Sequence, residues 1–501
     1  MKEYLLGIDV GTSALKAAVF DREGRLVDSA SVSYPTYYPA PGFAEQEPDD
    51  WWRASVQALR TIFSAGKVRP EDIAAVGTDG QGWANVLTDA DGQVLARTPI
   101  WLDTRSEVIA EEMTEKIGED AIFQLSGNLL RPSYSTGKLL YTMRFQPELF
   151  ARTASVLQSN GFIVKRLTGE DTLDRSQAYG YHFYDMRSGV YDREMAERFG
   201  IPLSVLPRLA SSSEIVGAVS QEAAEETGLL PGTPVAAGGL DAACATLGAG
   251  VIHNGETQEQ GGQAGGMSIC MDEYHADRAL ILGAHVVPGK YLLQGGTTGG
   301  GGVMRWLTRE FGAEGKPERA VLDEFNRIAE AVPAGSEGLL FLPYMAGERS
   351  PIWNPHAKGV YYGLDFSKTK GHFVRAAMEG TAYALQHNLQ TAEKAGVFVS
   401  ELRATGGSAN SVLWTQIKAD VTGKKILVSG SDTATPLGAA ILAGVGCGYY
   451  RDFEEAIRQT VRVKRVQEPD ETHREAYRHG FGRYIALYEA LKGQMQPEDG
   501  R

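Results

Sequence analysis

Near the start of the chain, short runs of β-prone residues alternate with turn residues: Tyr4 to Ile8, Leu15 to Phe20 and Leu26 to Ser33 are separated by Gly11-Thr12-Ser13 and Arg22-Glu23-Gly24. The pattern predicts an antiparallel meander. Farther along, apolar strands run into helical periodicity: Ile73 to Thr78, then Val235 to Ala237 before a helix from Ala242, then Leu402 to Thr405 before a helix from Val412. A mixed α/β fold follows. The segments Val235 to Asp241 and Leu402 to Ser408 share one logic, a short apolar strand that ends in glycines and passes into a polar or helical stretch. Their spacing hints at two halves built alike, and Glu256 to Met271, rich in Gly and Gln, reads as a restart of the meander. The preferred division is 1–250 and 251–490. The second part ends in an amphipathic helix carrying Tyr477, Phe481, Tyr484, Ile485 and Leu487, and 491–501 is expected to be a disordered tail.

Composition narrows the partners. A chain of 501 residues, 43% hydrophobic and 22% charged, has ample material for a buried core and room for two to four domains. Its net charge of −14, with no long basic run, repels nucleic-acid phosphates and anionic lipid surfaces, so neither nucleic acid nor membrane is an expected partner. The N-terminal apolar run is interrupted by Asp9 and a Gly-Thr turn before it reaches signal-peptide length, and Leu437 to Tyr450 is too short and glycine-rich to span a bilayer. A cytoplasmic location is the expectation. Cys244, Cys270 and Cys447 are odd in number and widely spaced, and read as reduced structural thiols.

Several stretches could carry chemistry. Gly7 to Lys16 puts the carboxylate of Asp9 at a strand end, directly before a glycine turn bearing the hydroxyls of Thr12 and Ser13. Backbone N–H groups and hydroxyls of such a turn suit phosphate oxygens, and Asp9 suits magnesium; a plain hairpin turn uses the same residues. Asp241, in Gly238-Gly239-Leu240-Asp241, falls at an expected helix start. There a carboxylate either caps the helix or, facing a cleft, accepts the proton of a substrate hydroxyl during attack on a γ-phosphate. Thr405 to Ser411 and the glycine run 295–302 are turns in which small residues let a ligand approach the backbone.

Taken in order, Asp-x-Gly-Thr-Ser-x-x-Lys at the start, Gly-Gly-x-Asp in the middle and Gly-Gly-Ser late resemble the FGGY carbohydrate kinases, over nearly the whole chain. The stretch from Gly359 to Leu364, continuing through His372 to Gly380, is similar to that family's second signature, and Phe341 to Pro355 looks especially xylulokinase-like. The resemblance implies two actin-like, ribonuclease H-like domains, the first binding sugar and the second nucleotide, with ATP and sugar in the cleft between them. By the same resemblance Asp9 serves Mg2+, while Gly11, Thr12, Ser13, Lys16 and Gly262 serve the phosphates. Gly301, Gly406, Gly407 and Ser411 contact the nucleotide, and Asp241 is the catalytic base. Gln81, Gly82 and Trp83, with Asp103 and Arg105 of Trp101-x-Asp-x-Arg, belong to the sugar site, although a buried ion pair would explain Asp103 and Arg105 equally.

Three departures mark the chain. Gly80-Gln81-Gly82-Trp83-Ala84 stands where such kinases read Gly-Gln-Met-His-Gly, the second phosphate turn reads Gly261-Gly262-Gln263-Ala264-Gly265-Gly266 without a hydroxyl, and Tyr141 replaces a tryptophan in the first signature. The implied substrate is a pentulose, D-xylulose foremost, with ribulose, erythritol and glycerol as alternatives. A non-catalytic ATP-binding protein of the same fold is the competing class, and a homodimer is compatible with either.

Overall fold

The computed structural model describes residues 3–313, 315–430 and 433–496, organised by two sheets that are seven-stranded among those residues. In the first, β1 (Tyr4–Val10), β2 (Ala14–Phe20) and β3 (Leu26–Ser33) form the antiparallel meander. On the other side of β1 lies β4 (Ile73–Gly80), parallel to it, and beyond that come β6 (Pro234–Ala236), parallel to β4, and β5 (Ile215–Ala218), antiparallel at the edge. A two-residue strand, Gly239–Leu240, continues along the end of β4.

The second sheet repeats this plan. It contains β7 (Glu256–Gly261), β8 (Gly265–Met271), β9 (Tyr291–Thr297), β10 (Glu401–Thr405), β11 (Ile426–Ser429) and β12 (Val463–Gln467), ordered β9-β8-β7-β10-β11-β12, with Ile281–Ala284 added outside β9. Each pairing has the sense of its counterpart: the meander is antiparallel, β10 and β11 follow β7 in parallel, and β12 is antiparallel. Glu256 to Met271 does restart the meander. The two halves are alike, but the repeated segments differ from the pair the spacing suggests. Leu402 to Ser408 is the counterpart of β4 and its turn, and Val235 corresponds to β11, because what matters is position beside the first strand of each meander.

Helices α1 (Asp241–Gly248), α2 (Gly301–Phe311), α3 (Lys370–Lys394), α4 (Val412–Thr422), α5 (Ala434–Gly446) and α6 (Arg474–Leu491) complete the frame used below. The later part of the second-signature stretch, His372 to Gly380, lies in α3, with Arg375 bonded to Glu379 at 2.9 Å inside the core and Gly380 so near the Phe341 carbonyl that an added Cβ would sit 2.3 Å from it. That signature is architectural. The apolar run from Leu437 becomes most of α5, which is buried nearly throughout, as a helix hydrophobic on all sides must be. It lies on the first sheet: a Cβ on Gly7 would fall 2.0 Å from the Pro436 carbonyl oxygen, and one on Gly77 would fall 1.9 Å from that of Ala439. It also meets α1, where Gly248 and Gly438 allow contact with the carbonyls of Ala434 and Cys244. A late segment of the chain thereby packs under the first sheet.

In α6, Tyr477 and Tyr484 are buried, a short turn (Lys492–Gln494) follows, and Met495 is buried too; the remainder of the tail expected to be disordered, 497–501, lies outside the described residues. Among the described residues Cys244, Cys270 and Cys447 form no disulfide. Among the described residues no helix is long and apolar enough to cross a membrane.

Candidate active site

The ends of the parallel strands in the first sheet bring three carboxyl groups into a row. Asp9 on β1 is in register with Asp79 on β4, and Asp79 is in register with Gly239, two residues before Asp241. Asp241 is the first residue of α1, and its Oδ1 accepts the N–H of Ala242 at 2.6 Å. It is therefore not the cap, which is Leu240, and the capping explanation for its carboxylate falls away. Open α/β sheets bind ligands at this edge, beyond the carboxyl ends of their strands.

Burial governs the charges here. Desolvation, reinforced by the charge of Asp9 and opposed by the Ala242 N–H, pushes Asp241 up to about 7. Asp9 is also raised by burial, against the pull of Asp79 and of Lys16, which stands opposite it on β2. Asp79, fully buried, is raised well above the usual carboxylate range by burial, then by Asp9 and Asp241. Neither of its oxygens accepts a hydrogen bond within the protein, and in its protonated form Asp79 can donate to Asp9, which raises the one and lowers the other.

Gly11, Thr12 and Ser13 form the turn from β1 to β2, and its shape is held from outside. Gln46 donates to the Thr12 carbonyl at 2.6 Å and to Thr36, Tyr34 donates to the Gly11 carbonyl, and Trp101 Nε1 donates to Thr12 Oγ1 at 2.9 Å. Gln46 is itself fixed by Trp51 and by Gln81, whose Nε2 donates to it at 2.7 Å. Gln81 thus supports the turn while its own Oε1 lacks a donor.

A cavity of about 370 Å³ opens from this turn to the second sheet, lined by Thr12, Gly82, Trp83, Asp241, Gln263 and Arg349 among others. Trp83 has a left-handed backbone, φ 60°, stacks on Tyr134 at 4.1 Å between ring centroids, and leaves its Nε1 without a partner. Its carbonyl is held by the buried Lys138 at 2.9 Å. Asp103 and Arg105 are not among the lining residues: they bond to each other, with Arg105 reaching Glu45 at 2.7 Å and Asp103 accepting the Ala44 N–H at 2.7 Å. The ion-pair reading describes them, and their neighbour Trp101 reaches the cavity instead.

On the second sheet the turn Gly262-Gln263-Ala264 joins β7 to β8, and its carbonyls receive the first N–H groups of α2, Gly301 onto Gly262 at 2.7 Å and Gly302 onto Gln263 at 2.9 Å. Gly406, with φ +83°, runs so close that a Cβ there would meet the Gly261 carbonyl at 2.9 Å, whereas one on Gly407 would meet open space. Gly262, Gly301, Gly406 and Gly407 are thus assembled at one place. Ser411 sits farther along as the cap of α4, accepting from Trp414 and donating to Asn326 at 2.6 Å.

This geometry agrees with the comparisons. The N-terminal domain model of the FGGY family of carbohydrate kinases matches residues 4–248, and the C-terminal domain model matches 271–447. The chain belongs to the FGGY family of carbohydrate kinases. A xylulose kinase of Bacillus subtilis (strain 168) is 30% identical over 98% of this chain and 97% of its own length. A gluconokinase of the same organism is also 30% identical, over 99% and 97%. The crystal structure of a xylulose kinase from Rhodospirillum rubrum has a TM-score of 0.90 at 29% identity, covering 98% of this chain and 99% of that one. As a member of this family the protein is an ATP-using sugar kinase with the two-domain actin-like fold.

Sequence reasoning passed over Asp79, Arg349, Tyr179 and Gln46. Asp79 had a signal, since it lies directly after the strand read as Ile73 to Thr78, in the position Asp9 occupies after Ile8. Arg349 stands inside the xylulokinase-like stretch, which by itself gives it no role, and nothing local marks Tyr179 or Gln46.

Proposed function

We propose that this FGGY kinase transfers the γ-phosphate of Mg-ATP to a hydroxyl of a small open-chain sugar, with Asp241 as the general base. The observation that carries this reading is the row of Asp9, Asp79 and Asp241 at one sheet edge, facing two glycine turns across a cavity that Asp241 itself lines. Asp241, held near 7, can take a proton at neutral pH and return it, which is what a base matched to its working pH requires. The hydroxyl attacks the γ-phosphorus, the bond to the ADP oxygen breaks, and the hydroxyl proton passes to an Asp241 oxygen. The backbone N–H groups of the Gly11 to Ser13 and Gly262 to Ala264 turns orient the phosphates.

The carboxylate pair suits magnesium. A fully buried carboxyl group such as Asp79, with no donor on either oxygen, is satisfied by a cation, and Asp9 beside it can share that cation. Among the described residues no group of three or more His, Cys, Asp or Glu side chains encloses a metal by itself. The remaining ligands fall to phosphate oxygens and water, the usual arrangement when Mg2+ is held by one or two carboxylates. Bound there, the ion neutralises charge on the transferred group.

D-Xylulose is the first substrate to test, on the strength of the xylulose kinases and of the xylulokinase-like stretch Phe341 to Pro355. An aldonate is the second reading, supported by the gluconokinase relative and by Arg349, a cation that lines the cavity. The test is a coupled ADP-release screen over pentuloses, hexuloses, aldonates and polyols. Sugar-dependent ADP formation is expected, and ADP release that no sugar raises would sink the kinase reading in favour of a sugar-independent ATPase.

A further inference from the structure

Beneath the two glycine turns of the second sheet lies an ion pair that the mechanism above does not use. Lys418, on α4, donates to Glu259 Oε1 at 2.6 Å, and the two side chains are only 5% and 4% exposed. The same ammonium donates to Ser408 Oγ at 2.9 Å. Among the described residues Lys418 is the one hydrogen-bond partner of the Glu259 carboxylate, since Oε2 has none. Glu259 lies on β7 shortly before Gly261, and Ser408 directly follows Gly406-Gly407. One nitrogen therefore ties the strand that enters the Gly262 turn to the turn that enters α4.

The two turns touch closely enough for that tie to govern both. A Cβ on Gly261 would fall 1.5 Å from Ser408 Oγ and 3.5 Å from Lys418 Nζ. One on Gly406 would fall 2.9 Å from the Gly261 carbonyl oxygen and 3.3 Å from the Gly262 nitrogen. Ser408 thus rests against Gly261, and a shift of its hydroxyl moves the backbone at Gly262. The turn Gly262-Gln263-Ala264 has no hydroxyl of its own, so what it offers a phosphate depends on the aim of its N–H groups.

Stability is a weaker reason for the pair. Two charges buried this deeply lose hydration that their attraction barely offsets, and apolar residues of similar volume often hold a core equally well. Apolar side chains cannot fix the Ser408 hydroxyl at one point.

We infer that Lys418 is a positioning residue for nucleotide binding: paired with Glu259 and acting through Ser408, it sets the Gly261-Gly262 and Gly406-Gly407 turns at the spacing that receives the phosphates. This rests on the assignment of those turns to nucleotide in the proposed function.

The measurement is Mg-ADP affinity by titration calorimetry, with Tm from the same preparations, in wild type and three variants. Lys418→Met strands the Glu259 charge and should lower both Tm and affinity. Adding Glu259→Leu to it removes the stranded charge. That double variant should recover Tm toward wild type while its affinity stays at least about 10-fold lower, within the roughly 100-fold that a misplacement of about 1 Å can cost. Ser408→Ala keeps the ion pair but cuts its link to the turn, and should weaken Mg-ADP binding with little change in Tm. Wild-type affinity in either the double variant or Ser408→Ala overturns the inference, and Ser408→Ala decides alone should the double variant not fold. Affinity that falls only where Tm falls assigns the pair to stability and overturns it as well. A wild-type protein that binds no Mg-ADP overturns the nucleotide assignment of the turns and this inference with it, whereas wild-type binding that Ser408→Ala leaves intact refutes the inference alone.

Discussion

Replacing Asp241 by asparagine separates its chemistry from its place in the fold. Asparagine keeps the side-chain shape and the oxygen that accepts the Ala242 N–H, but it carries no charge and cannot take a proton. General-base loss lowers the rate by on the order of 10²–10⁴-fold. The same change acts on stability with a sign fixed by the pKa. Moving the carboxyl from 3.8 to about 7 corresponds to roughly 4 kcal/mol. An acid raised in the folded state holds its proton over a pH range in which the unfolded chain has released it. The wild-type protein therefore loses stability as pH climbs from about 4 to about 7, and the loss is complete above that. Asn escapes this loss, so Asp241→Asn should gain up to about 4 kcal/mol over wild type at pH 8 and progressively less toward pH 5. Urea unfolding at both pH values in chelated buffer, beside ADP release from the same preparations, makes the comparison. A variant that keeps near-wild-type turnover refutes the base assignment. One whose stability differs from wild type by the same amount at both pH values refutes the burial argument.

Other outcomes follow from the same geometry. Asp9→Ala and Asp79→Asn should each raise the Mg2+ concentration needed for half-maximal rate and weaken Mn2+ binding measured by electron paramagnetic resonance; an unchanged metal dependence in both removes the pair from that role. Trp83→His should alter relative kcat/KM among sugars, since Trp83 lines the cavity with a free Nε1; a lowered Tm with the ranking of sugars unchanged would make it a packing residue only. Gly77→Ala places a methyl 1.9 Å from the Ala439 carbonyl oxygen and should cost about 1–3 kcal/mol or more. By contrast Gly482→Ala, on α6 with nothing within 4 Å of the new Cβ, should be neutral or stabilising by under about 1 kcal/mol; comparable Tm values for the two variants would contradict the packing of α5 on the first sheet.

Much of this was legible in the chain because local patterning and tertiary pairing agree. The meander strands appear where β-prone runs alternate with turns, and the restart at Glu256 shows as a stretch rich in Gly and Gln. The strands run past the ends that propensity assigns: β1 reaches Val10 and β4 reaches Gly80, because pairing carries Asp9 and Asp79 into the ladder although Asp and Gly disfavour strands. That extension hid Asp79. Asp103 and Arg105 were open in the sequence for another reason, since a charged motif that bonds sugar hydroxyls is indistinguishable there from an ion pair, and the structure shows the pair. Arg349 was illegible for a further reason: what sets it apart is the absence of a partner among the described residues, and Glu348, adjacent in sequence, looks like one until the structure turns its oxygens toward Thr297 and Thr298.

The duplication also shows how one plan yields two different sites. Asp9 pairs across β1 with Lys16 and with Asp79, one position before the strand ends; in the second sheet the same register holds Gln260, paired with Gly266 and Thr405. The following turns match residue for residue in length, Gly11-Thr12-Ser13 against Gly262-Gln263-Ala264. The backbone cradle is thus kept in both halves while the charges are kept in only one. A carboxylate pair repeated at Gln260 and Thr405 would bring the acidic groups of the two sheet edges to five and repel the polyphosphate that the proposed mechanism sets against both turns. With Gln and Thr there, the second turn offers N–H groups without repulsion, and the three carboxyl groups to which the proposed mechanism gives metal binding and proton transfer, Asp9, Asp79 and Asp241, all stand on the first sheet. The charge on the two edges is therefore unequal, and in the proposed mechanism nucleotide phosphates beside the neutral turn approach the acidic row only where a cation offsets it, with the sugar hydroxyl meeting Asp241 at that same edge.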